Sequence, residues 1–287
     1  MHKHYLIVLN PLPNKQKKYW LTWLIDYLKQ HQHTYYVFTT SPVLSDNQLF
    51  FQQHLNEYDE VIMLGGDGTL HQLANCMANC TQPITVLPCG TGNDFMRNFG
   101  YSNNQLKQLV NSKHSLSIDL GKVNERYFIN SAGVGFDAEI VERTQGNKGW
   151  LARFSYLYHA FTCLFFFKES LLSLQQECQE VQYSNFLTVF ANGKYFGGGM
   201  KIAPKAELSS SHLMRYSVEK TSLLKKVLAL PKLYRGTHTK LPEVKEHAFR
   251  QLEIVTPGLP IQADGESAGY TPAVIAVAKN ALTIKII

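Results

Sequence analysis

The amino-acid sequence predicts an α/β protein with two domains, a doubly wound parallel sheet followed by a β-rich domain that contains a helical insert. Strand and helix patterns alternate through the first third of the chain, strand patterns predominate afterwards, and 287 residues are enough for two domains. We place the boundary between domains 1–117 and 118–287, and we allow the last strand to return to the first domain.

The first domain is predicted from short apolar runs that alternate with segments of helical spacing. The strand patterns are YLIVLN, TYYVFTT, EVIMLGG and PITVLPCG, and the helix patterns are KKYWLTWLIDYLKQ, DNQLFFQQHLNEY and HQLANCMANC. Such alternation implies a parallel sheet covered by helices on both faces. Ligands of these sheets bind at the carboxyl ends of the strands, where the glycine-rich segments of this chain fall.

The second domain is predicted from a change to β-type patterns. The stretch SIDLGKVNERYFINSAGVGF alternates like antiparallel strands around a turn. A helical interval is predicted over about 137–175. The later strand patterns are FLTVFANG, LMRYSVEK, QLEIVTPG, PIQADGE, AVIAVAKN and ALTIKII.

Composition sets broad limits on partners and compartment. The formal charge of +6 is spread without a long basic block, which indicates either an anionic partner, such as a nucleotide or a phospholipid surface, or only a solvated lysine excess. No apolar stretch has the length of a spanning helix, and the N-terminal run is too short for a signal peptide. We expect a cytoplasmic protein that binds no nucleic acid.

The segment GGDGT follows the third predicted strand and has the composition of a phosphate-binding loop. Gly65, Gly66 and Gly68 remove side chains where a polyphosphate would approach backbone N–H groups at a helix N-terminus. Asp67 would repel bare phosphate and therefore indicates a divalent cation, while Thr69 can cap the helix or donate to a phosphate oxygen. The alternative is a tight strand-to-helix turn that needs glycine and uses Asp67 as a cap.

A second segment, LPCGTGNDFMRNFG, repeats this arrangement one strand later. Gly90, Thr91 and Gly92 follow the strand, and Asn93 and Asp94 open a helix. Two neighbouring strands thus end in small-residue loops, each with an aspartate close behind, which favours one shared ligand over two unrelated turns.

With this second motif the chain resembles the diacylglycerol kinase catalytic-domain family, lipid kinases that include the sphingosine and ceramide kinases. The resemblance covers most of the chain, through NP at 10–11, GGDGTL, P-x-GTGNDF-x-R, RYFINSAGVGFDAEI, GGGMKIAPKAEL and ADGE. NAD kinases and phosphofructokinases share a GGDG-type loop but lack GTGNDF. The resemblance implies a phosphofructokinase- or NAD-kinase-like first domain, a β-sandwich-like second domain and a nucleotide cleft between them.

The same resemblance implies ATP and Mg²⁺ as cofactors and assigns the nucleotide site. The implied ATP-binding residues are Asn10, Pro11, Leu12, Pro13, Asn14, Thr40, Gly65, Gly66, Asp67, Gly68, Thr69, Leu70, His71, Gly90 and Thr91. Asp67 and Asp94 would lie near the nucleotide magnesium and contact it indirectly. For His71, a surface histidine without a role is the alternative.

The resemblance also assigns Asp264 and Glu266 of ADGE as the acidic pair at the acceptor hydroxyl. In an extended segment the two carboxylates would face the same side, Gly265 would allow close approach, and one would take the hydroxyl proton. The alternative is a hairpin turn with solvated acids. Which of the two residues is the base stays open.

Three departures from the family pattern bear on metal and nucleotide binding. Ser209, Ser210 and Ser211 replace the acidic DG-x-LD loop of bacterial relatives, so we expect no structural magnesium there, because hydroxyls are poor ligands for this cation. The first loop lacks the usual glycine after NP, and Gln72 replaces an acidic residue. Nucleotide contacts at these places are expected to be weaker or rearranged.

The apolar segment after residue 147 has two interpretations. It is either a lipid-entry or membrane-resting helix, with Lys148 and Arg153 toward headgroups, or a core helix packed on the second domain. The helical stripe consists of Trp150, Phe154, Leu157, Phe161 and Phe165.

Together these patterns indicate an ATP- and magnesium-dependent lipid kinase that is cytoplasmic and visits the inner membrane surface. Diacylglycerol is the favoured acceptor, with phosphatidic acid as the product for phospholipid biosynthesis. Two alternatives stay open: a kinase for phosphatidylglycerol, a sphingoid lipid or a non-lipid alcohol, and a catalytically impaired lipid- or nucleotide-binding protein of the same fold. The acyl preference and the oligomeric state, with a dimer as one option, also stay open.

Overall fold

The computed structural model describes residues 2–144, 162, 165–176 and 179–287. The chain forms two compact units, unit 1 with Met1–Leu120 and Lys279–Ile287, and unit 2 with Gly121–Ala278. Of the predicted aromatic stripe and its cations, Lys148, Trp150, Arg153, Phe154, Leu157 and Phe161 lie outside the described residues. Phe165 is described and is exposed.

Unit 1 is built on a parallel sheet with helices between its strands. The strands are β1 (His4–Leu9), β2 (Thr34–Thr39), β3 (Glu60–Gly65) and β4 (Ile84–Pro88), and the helices are α1 (Lys15–Gln30), α2 (Leu44–His54), α3 (Asp67–Met77), α4 (Asp94–Arg97) and α5 (Asn103–Asn111). The order β4-β3-β1-β2 is parallel throughout. All six residues of β3 are buried, as expected for a central strand of such a sheet.

Two strands carry the chain between the units. Strand β5 (His114–Val123) leaves unit 1, and β15 (Ala273–Ile286) returns to it, where Ile284 pairs with Ile84 of β4. In unit 1 the ammonium group of Lys285 lies 3.1 Å from Glu60 Oε1, with both side chains buried.

Unit 2 is an antiparallel β structure. Its further strands are β6 (Arg126–Phe128), β7 (Ser131–Gly135), β8 (Ser170–Gln176), β9 (Gln179–Ala191), β10 (Leu213–Glu219), β11 (Val244–Phe249), β12 (Gln251–Ile254), β13 (Pro260–Ala263) and β14 (Glu266–Tyr270), and its helices are α6 (Phe136–Thr144) and α7 (Leu223–Arg235). The long strand β9 pairs with β7, β8 and β10 and so joins these strands into one sheet. Aliphatic and phenylalanine side chains from these and the neighbouring strands form a buried core.

The parallel sheet and the β-sandwich-like part confirm the predicted fold class. The helix predicted over 137–175 is wrong at its end, because strand β8 begins at Ser170 and pairs with β9. In β8, Leu172 and Leu174 are buried and Leu171 is exposed, which is a strand pattern. The two strand patterns after residue 272 form one strand, β15, and the sequence interpretation overlooked helix α7 and strand β11.

Helix α7 ends at Arg235 and is followed by Gly236 with φ 70°, which is a common C-cap. Pro231 within the helix obscures its helical sequence pattern. Among the described residues, no helix is both long enough and apolar enough to cross a bilayer.

Candidate functional site

Two glycine loops of unit 1 touch through their backbones. We call residues 65–69 the first glycine loop and residues 90–94 the second. Cys89 N donates to Gly65 O at 2.8 Å. A Cβ atom on Gly66 would lie 2.9 Å from Gly90 Cα, and one on Gly90 would lie 2.6 Å from Gly66 Cα. Glycine is therefore required at both positions by the contact between the loops, whether or not a ligand binds.

Gly68 differs from these two glycines. A Cβ atom there would meet no described heavy atom within 4 Å, and the residue is exposed in the first turn of α3. The N–H groups of Thr69 and Leu70 both donate to Gly66 O, each at 3.1 Å, whereas that of Gly68 makes no such bond. The fold itself thus gives no reason for glycine at 68, and a ligand close to the backbone would give one.

Asp67 connects the two loops. Its Oδ2 accepts the N–H of Asp94 and its Oδ1 the N–H of Phe95, both at 3.0 Å. These N–H groups open α4, so the carboxylate caps that helix. The structure therefore gives Asp67 a positioning role, and its predicted indirect contact with magnesium stays a prediction.

The second glycine loop is held by its own side chains. Asn93 adopts a positive φ of 49° and exchanges two hydrogen bonds with Gly90, accepting from its N–H at 2.9 Å and donating to its carbonyl at 2.8 Å. Arg97 Nε donates to Gly92 O at 3.1 Å and lies 3.5 Å from a carboxylate oxygen of the buried Asp94. The loop conformation is thus set by the chain itself.

Lys17 holds the loop of residues 10–14, which follows β1, and this role was not predicted from the sequence. Its buried ammonium group donates to Asn10 O at 2.6 Å, to Asn10 Oδ1 at 2.7 Å and to Leu12 O. Burial lowers the pKa of Lys17. The signal was present, since Lys17 stands three residues before Trp20 and seven before Leu24 on the buried face of α1.

Two asparagines join this loop to the glycine loops. Asn10 Nδ2 donates to Thr69 Oγ1 at 3.1 Å, and Asn14 Nδ2 donates to Cys89 O at 2.7 Å. Asn14 Oδ1 also caps α1 by accepting the N–H of Gln16 at 2.8 Å. Three chain segments are therefore brought together at the carboxyl ends of β1, β3 and β4.

An open cavity of about 500 Å³ lies beside the loop that follows β1. It is lined by residues 9–14 together with Lys15, Lys17, Lys18 and Leu21. Its volume is that of a small-molecule pocket, and its cations are all lysines.

The remaining predicted nucleotide residues are divided between surface and interior. The segment 11–14, Gly68 and Thr91 are exposed. Thr40, Leu70 and His71 are buried, and Thr40 N donates to Leu9 O at 2.9 Å. His71 is 1% exposed, so the alternative of a surface histidine is wrong.

In unit 2, Asp264 and Gly265 form a two-residue hairpin turn between β13 and β14. Their φ angles are 50° and 84°, and Ala263 pairs with Glu266 across the turn. The expectation of an extended segment is therefore wrong, because Asp-Gly strongly favours a type I′ turn.

Asp264 is not a solvated turn acid. Its Oδ2 accepts the N–H of Ile129 at 2.7 Å, and its Oδ1 accepts those of Asn130 at 2.8 Å and Ser131 at 3.1 Å. This carboxylate thus anchors the hairpin to residues 129–131. Glu266 is exposed, and its carboxylate makes no hydrogen bond to any described residue.

Gln262 and Asp137 support the turn and were not singled out from the sequence. Gln262 Oε1 accepts the N–H of Gly265 at 2.9 Å, and its Nε2 donates to Asp137 Oδ2 at 2.9 Å. Burial raises the pKa of Asp137 to about 6, although hydrogen bonds from Gln262 and Ala138 oppose the shift. A Cβ atom on Gly133 would overlap this carboxylate, so the glycine makes room for it.

Polar atoms without partners lie next to the anchored hairpin. Asn130 Oδ1 and Ser131 Oγ are buried and make no hydrogen bond to any described residue. Buried polar atoms normally have a partner, so a polar ligand or water at this place would satisfy them.

The serine loop at 209–211 is closed by its own groups. The Ser210 hydroxyl is within 3.0 Å of the carbonyl oxygens of both Glu207 and His212, and His212 Nδ1 bonds to Ser210 O at 2.9 Å. These side chains thus bond to three carbonyl oxygens of their own loop. The expectation that no structural magnesium binds here stays a prediction.

Comparisons with known proteins cover both units. Residues 4–123 match the family model described as the diacylglycerol kinase catalytic domain, and residues 130–286 match that of the YegS C-terminal NAD kinase beta sandwich-like domain. A diacylglycerol kinase of Staphylococcus aureus strain JH9 is 30% identical over 237 residues, 80% of this chain and 75% of that protein. One of Mycobacterium tuberculosis strain H37Rv is 28% identical over 235 residues, 79% of this chain and 76% of that protein.

The fold is similar to that of a solved protein. A crystal structure of a diacylglycerol kinase from Bacillus anthracis strain Sterne has a TM-score of 0.77 at 21% identity, and the match covers 99% of this chain and 97% of that one.

Proposed function

Because this chain belongs to the diacylglycerol kinase catalytic-domain family, a family of lipid kinases, we propose that it transfers the γ-phosphoryl group of ATP to diacylglycerol and forms phosphatidic acid. The observation that carries the proposal is the pair of glycine loops in unit 1. They are joined through Asp67, and they leave an exposed glycine at position 68 for which the fold has no steric need.

Unit 1 is proposed to bind the nucleotide. The N–H of Gly68, an exposed residue at the start of α3, would donate to a phosphate oxygen, aided by the positive end of the helix dipole. Asn10 and Asn14 connect the loop after β1 to the ends of β3 and β4 and would keep the phosphate-binding backbone in place. Bound magnesium would neutralise phosphate charge, with Asp67 and Asp94 as the nearby carboxylates.

Unit 2 is proposed to supply the acceptor-side acid, and we assign Glu266 as the base. Its carboxylate is exposed and unengaged, whereas the oxygens of Asp264 already accept three N–H groups. Glu266 would orient the lipid hydroxyl and take its proton late in the transfer. Asp264 would act through Glu266 by fixing the hairpin that presents it.

A lipid acceptor requires contact with a membrane surface, and we propose the inner membrane surface as the place of action. Helix α7 supports this proposal because none of its residues is buried and it exposes Leu224 and Leu228 to 69% and 60%. Basic residues of the same helix, such as Lys232, suit an anionic surface.

The decisive experiment is transfer of labelled γ-phosphate from ATP to lipids in mixed micelles. Parallel reactions would contain diacylglycerol, phosphatidylglycerol, a sphingoid base or no lipid, with and without magnesium. We expect labelled phosphatidic acid only with diacylglycerol and magnesium. If the label appears in the product of another lipid, that lipid and not diacylglycerol is the acceptor. ATP binding by calorimetry without transfer to any lipid would favour the catalytically impaired protein.

The assignment of the two acids is tested on the same reaction. Glu266→Gln should lower transfer by ~100- to 10,000-fold and leave ATP affinity unchanged, because no phosphate contact is removed. Full activity of this variant would refute Glu266 as the base.

A further inference from the structure

A second cavity, of about 560 Å³, lies within unit 2. Strands β8 to β11 contribute its lining, which includes no residue of the glycine loops or of the ADGE hairpin. We call it the Arg215 cavity after the most buried of its charged residues. Its other polar residues include Tyr183, Ser217, Lys245 and His247.

Arg215 lies buried in this cavity. The residue is 6% exposed, and its buried Nε makes no hydrogen bond to any described residue. Among residues 2–144, 162, 165–176 and 179–287, no carboxylate forms an ion pair with its guanidinium group. Burial lowers the pKa of Arg215, although a guanidinium remains charged at neutral pH. A buried charge without a counter-charge is costly, so proteins normally pair it.

Glu219, the one acid among the described lining residues, is already paired with a lysine of the same lining. Glu219 forms an ion pair with Lys245, and these two side chains compensate each other. His247 stands directly opposite Arg215 in the β10–β11 pair, and burial and the charge of Arg215 lower the pKa of this imidazole. At neutral pH the positive charge of Arg215 therefore has no counter-charge of its own among the described residues of the cavity lining.

Two hydroxyl groups lie in the lining together with Arg215. The Tyr183 hydroxyl bonds to that of Ser217 at 2.9 Å and, outside the lining, to that of Thr188 at 2.7 Å, so its position is fixed. Ser217 stands two residues from Arg215 on the same face of β10 and opposite Lys245. Apolar contact is available from Leu174 and Val181.

We propose that the Arg215 cavity binds a small organic oxyanion, a carboxylate or a phosphate, whose charge is paired by the guanidinium group of Arg215. An arginine fork matches two oxygens of either group, and the cavity has room for a molecule larger than the oxyanion itself. The proposal does not depend on the proposed kinase reaction, because none of its residues belongs to the two glycine loops or the hairpin.

The first test is thermal unfolding with two small organic anions, the phosphate ester sn-glycerol 3-phosphate and the carboxylate glycerate, against sodium chloride at equal ionic strength. A ligand that binds the folded state should raise the Tm by roughly 5 °C at a hundredfold excess over its Kd. We expect this shift in the wild type and in the control Arg250→Met, which removes an exposed arginine outside the cavity. Arg215→Met should show no shift and should melt no lower than the wild type without ligand.

The second test observes Arg215 directly in the wild-type protein. The Nε–H signals of ¹⁵N-labelled arginines would be followed by NMR, with Arg215→Lys used for assignment. Inorganic phosphate, the two glycerol-derived anions and a water-soluble short-chain phosphatidate would be added in turn. A shift with phosphatidate only would identify a lipid headgroup as the source, and a shift with the small anions would identify a free metabolite.

Either of two results would overturn the proposal. One is an Arg215 Nε–H signal that no anion moves at millimolar concentration. The other is a Tm shift in Arg215→Met equal to that of the wild type. If Arg215→Met does not fold, the NMR titration of the wild type decides alone.

Discussion

Replacing Asp67 with asparagine should cost substantial folding stability as well as nucleotide binding. Each carboxylate oxygen of Asp67 accepts one N–H group at the start of α4. Asparagine keeps one acceptor oxygen but turns an NH₂ group toward the second N–H. One hydrogen bond to a charged group is thus lost, and the other becomes a weaker bond to a neutral amide.

The expected magnitude follows from these two bonds. Hydrogen bonds to a charged group contribute about 1.5–3 kcal/mol each, and an unsatisfied buried donor costs about 1–3 kcal/mol. We therefore expect Asp67→Asn to lower the free energy of unfolding by ~2–4 kcal/mol. A chain of this size loses about 2–4 °C in Tm per kcal/mol, so the shift should be large enough for a routine measurement.

The matched control is Asp46→Asn. Asp46 also lies in the first turn of a helix, α2, but it is exposed and accepts from the Ser41 hydroxyl at 2.8 Å. Its replacement should cost less than about 1 kcal/mol. Urea unfolding gives the stabilities, and titration calorimetry with ATP, in the presence and absence of magnesium, gives the affinities.

One outcome would refute this reasoning. If Asp67→Asn kept wild-type stability and lost only magnesium-dependent ATP binding, the carboxylate would serve the metal and not the link between the loops.

Three further predictions concern single positions in the two units. Gly68→Ala should raise the free energy of unfolding, measured in urea, by up to about 1 kcal/mol and should weaken ATP binding, measured by calorimetry. Gly66→Ala should lower the free energy of unfolding; if Gly68→Ala lowered it by the same amount, the glycine at 68 would be explained by the fold and not by a ligand. Asp264→Asn should lower stability more than Glu266→Gln in the same unfolding assay, because three N–H bonds depend on Asp264; the reverse order would contradict the anchoring role. Burial raises the pKa of Asp137 to about 6, so the unfolded state loses this proton at lower pH than the folded state. The free energy of unfolding of the wild type should therefore fall by ~2 kcal/mol relative to that of Asp137→Asn between pH 4.5 and 7. An equal difference between the two proteins at both pH values would refute the pKa shift.

The parallel sheet and the two glycine loops could be predicted because their signals are local. Residues 61–64 of strand β3 are an unbroken apolar run, and each glycine cluster comes at the end of a strand. The link between the loops could not be predicted, because Asp67 and Asp94 are 27 residues apart and their bond joins a side chain to a backbone N–H. Such a bond leaves no mark on the composition of either segment.

The ADGE hairpin combines a local sequence signal with contacts to residues far away in the sequence. The Asp-Gly pair is a strong local signal for a type I′ turn, so the turn itself was predictable from the sequence. The partners of Asp264 at residues 129–131 lie more than 130 positions earlier and are backbone groups. Lys17 is similar, since only its helical position, and not its residue type, indicated burial.

The return of strand β15 to unit 1 has a consequence for the order in which the protein is made. Residues 279–287 complete unit 1, yet they are synthesised after the whole of unit 2. Until then the β4 edge lacks its partner and Glu60 lacks Lys285. An unpaired strand edge can pair with other chains, so nascent unit 1 should be most prone to aggregation while residues 121–278 are being translated.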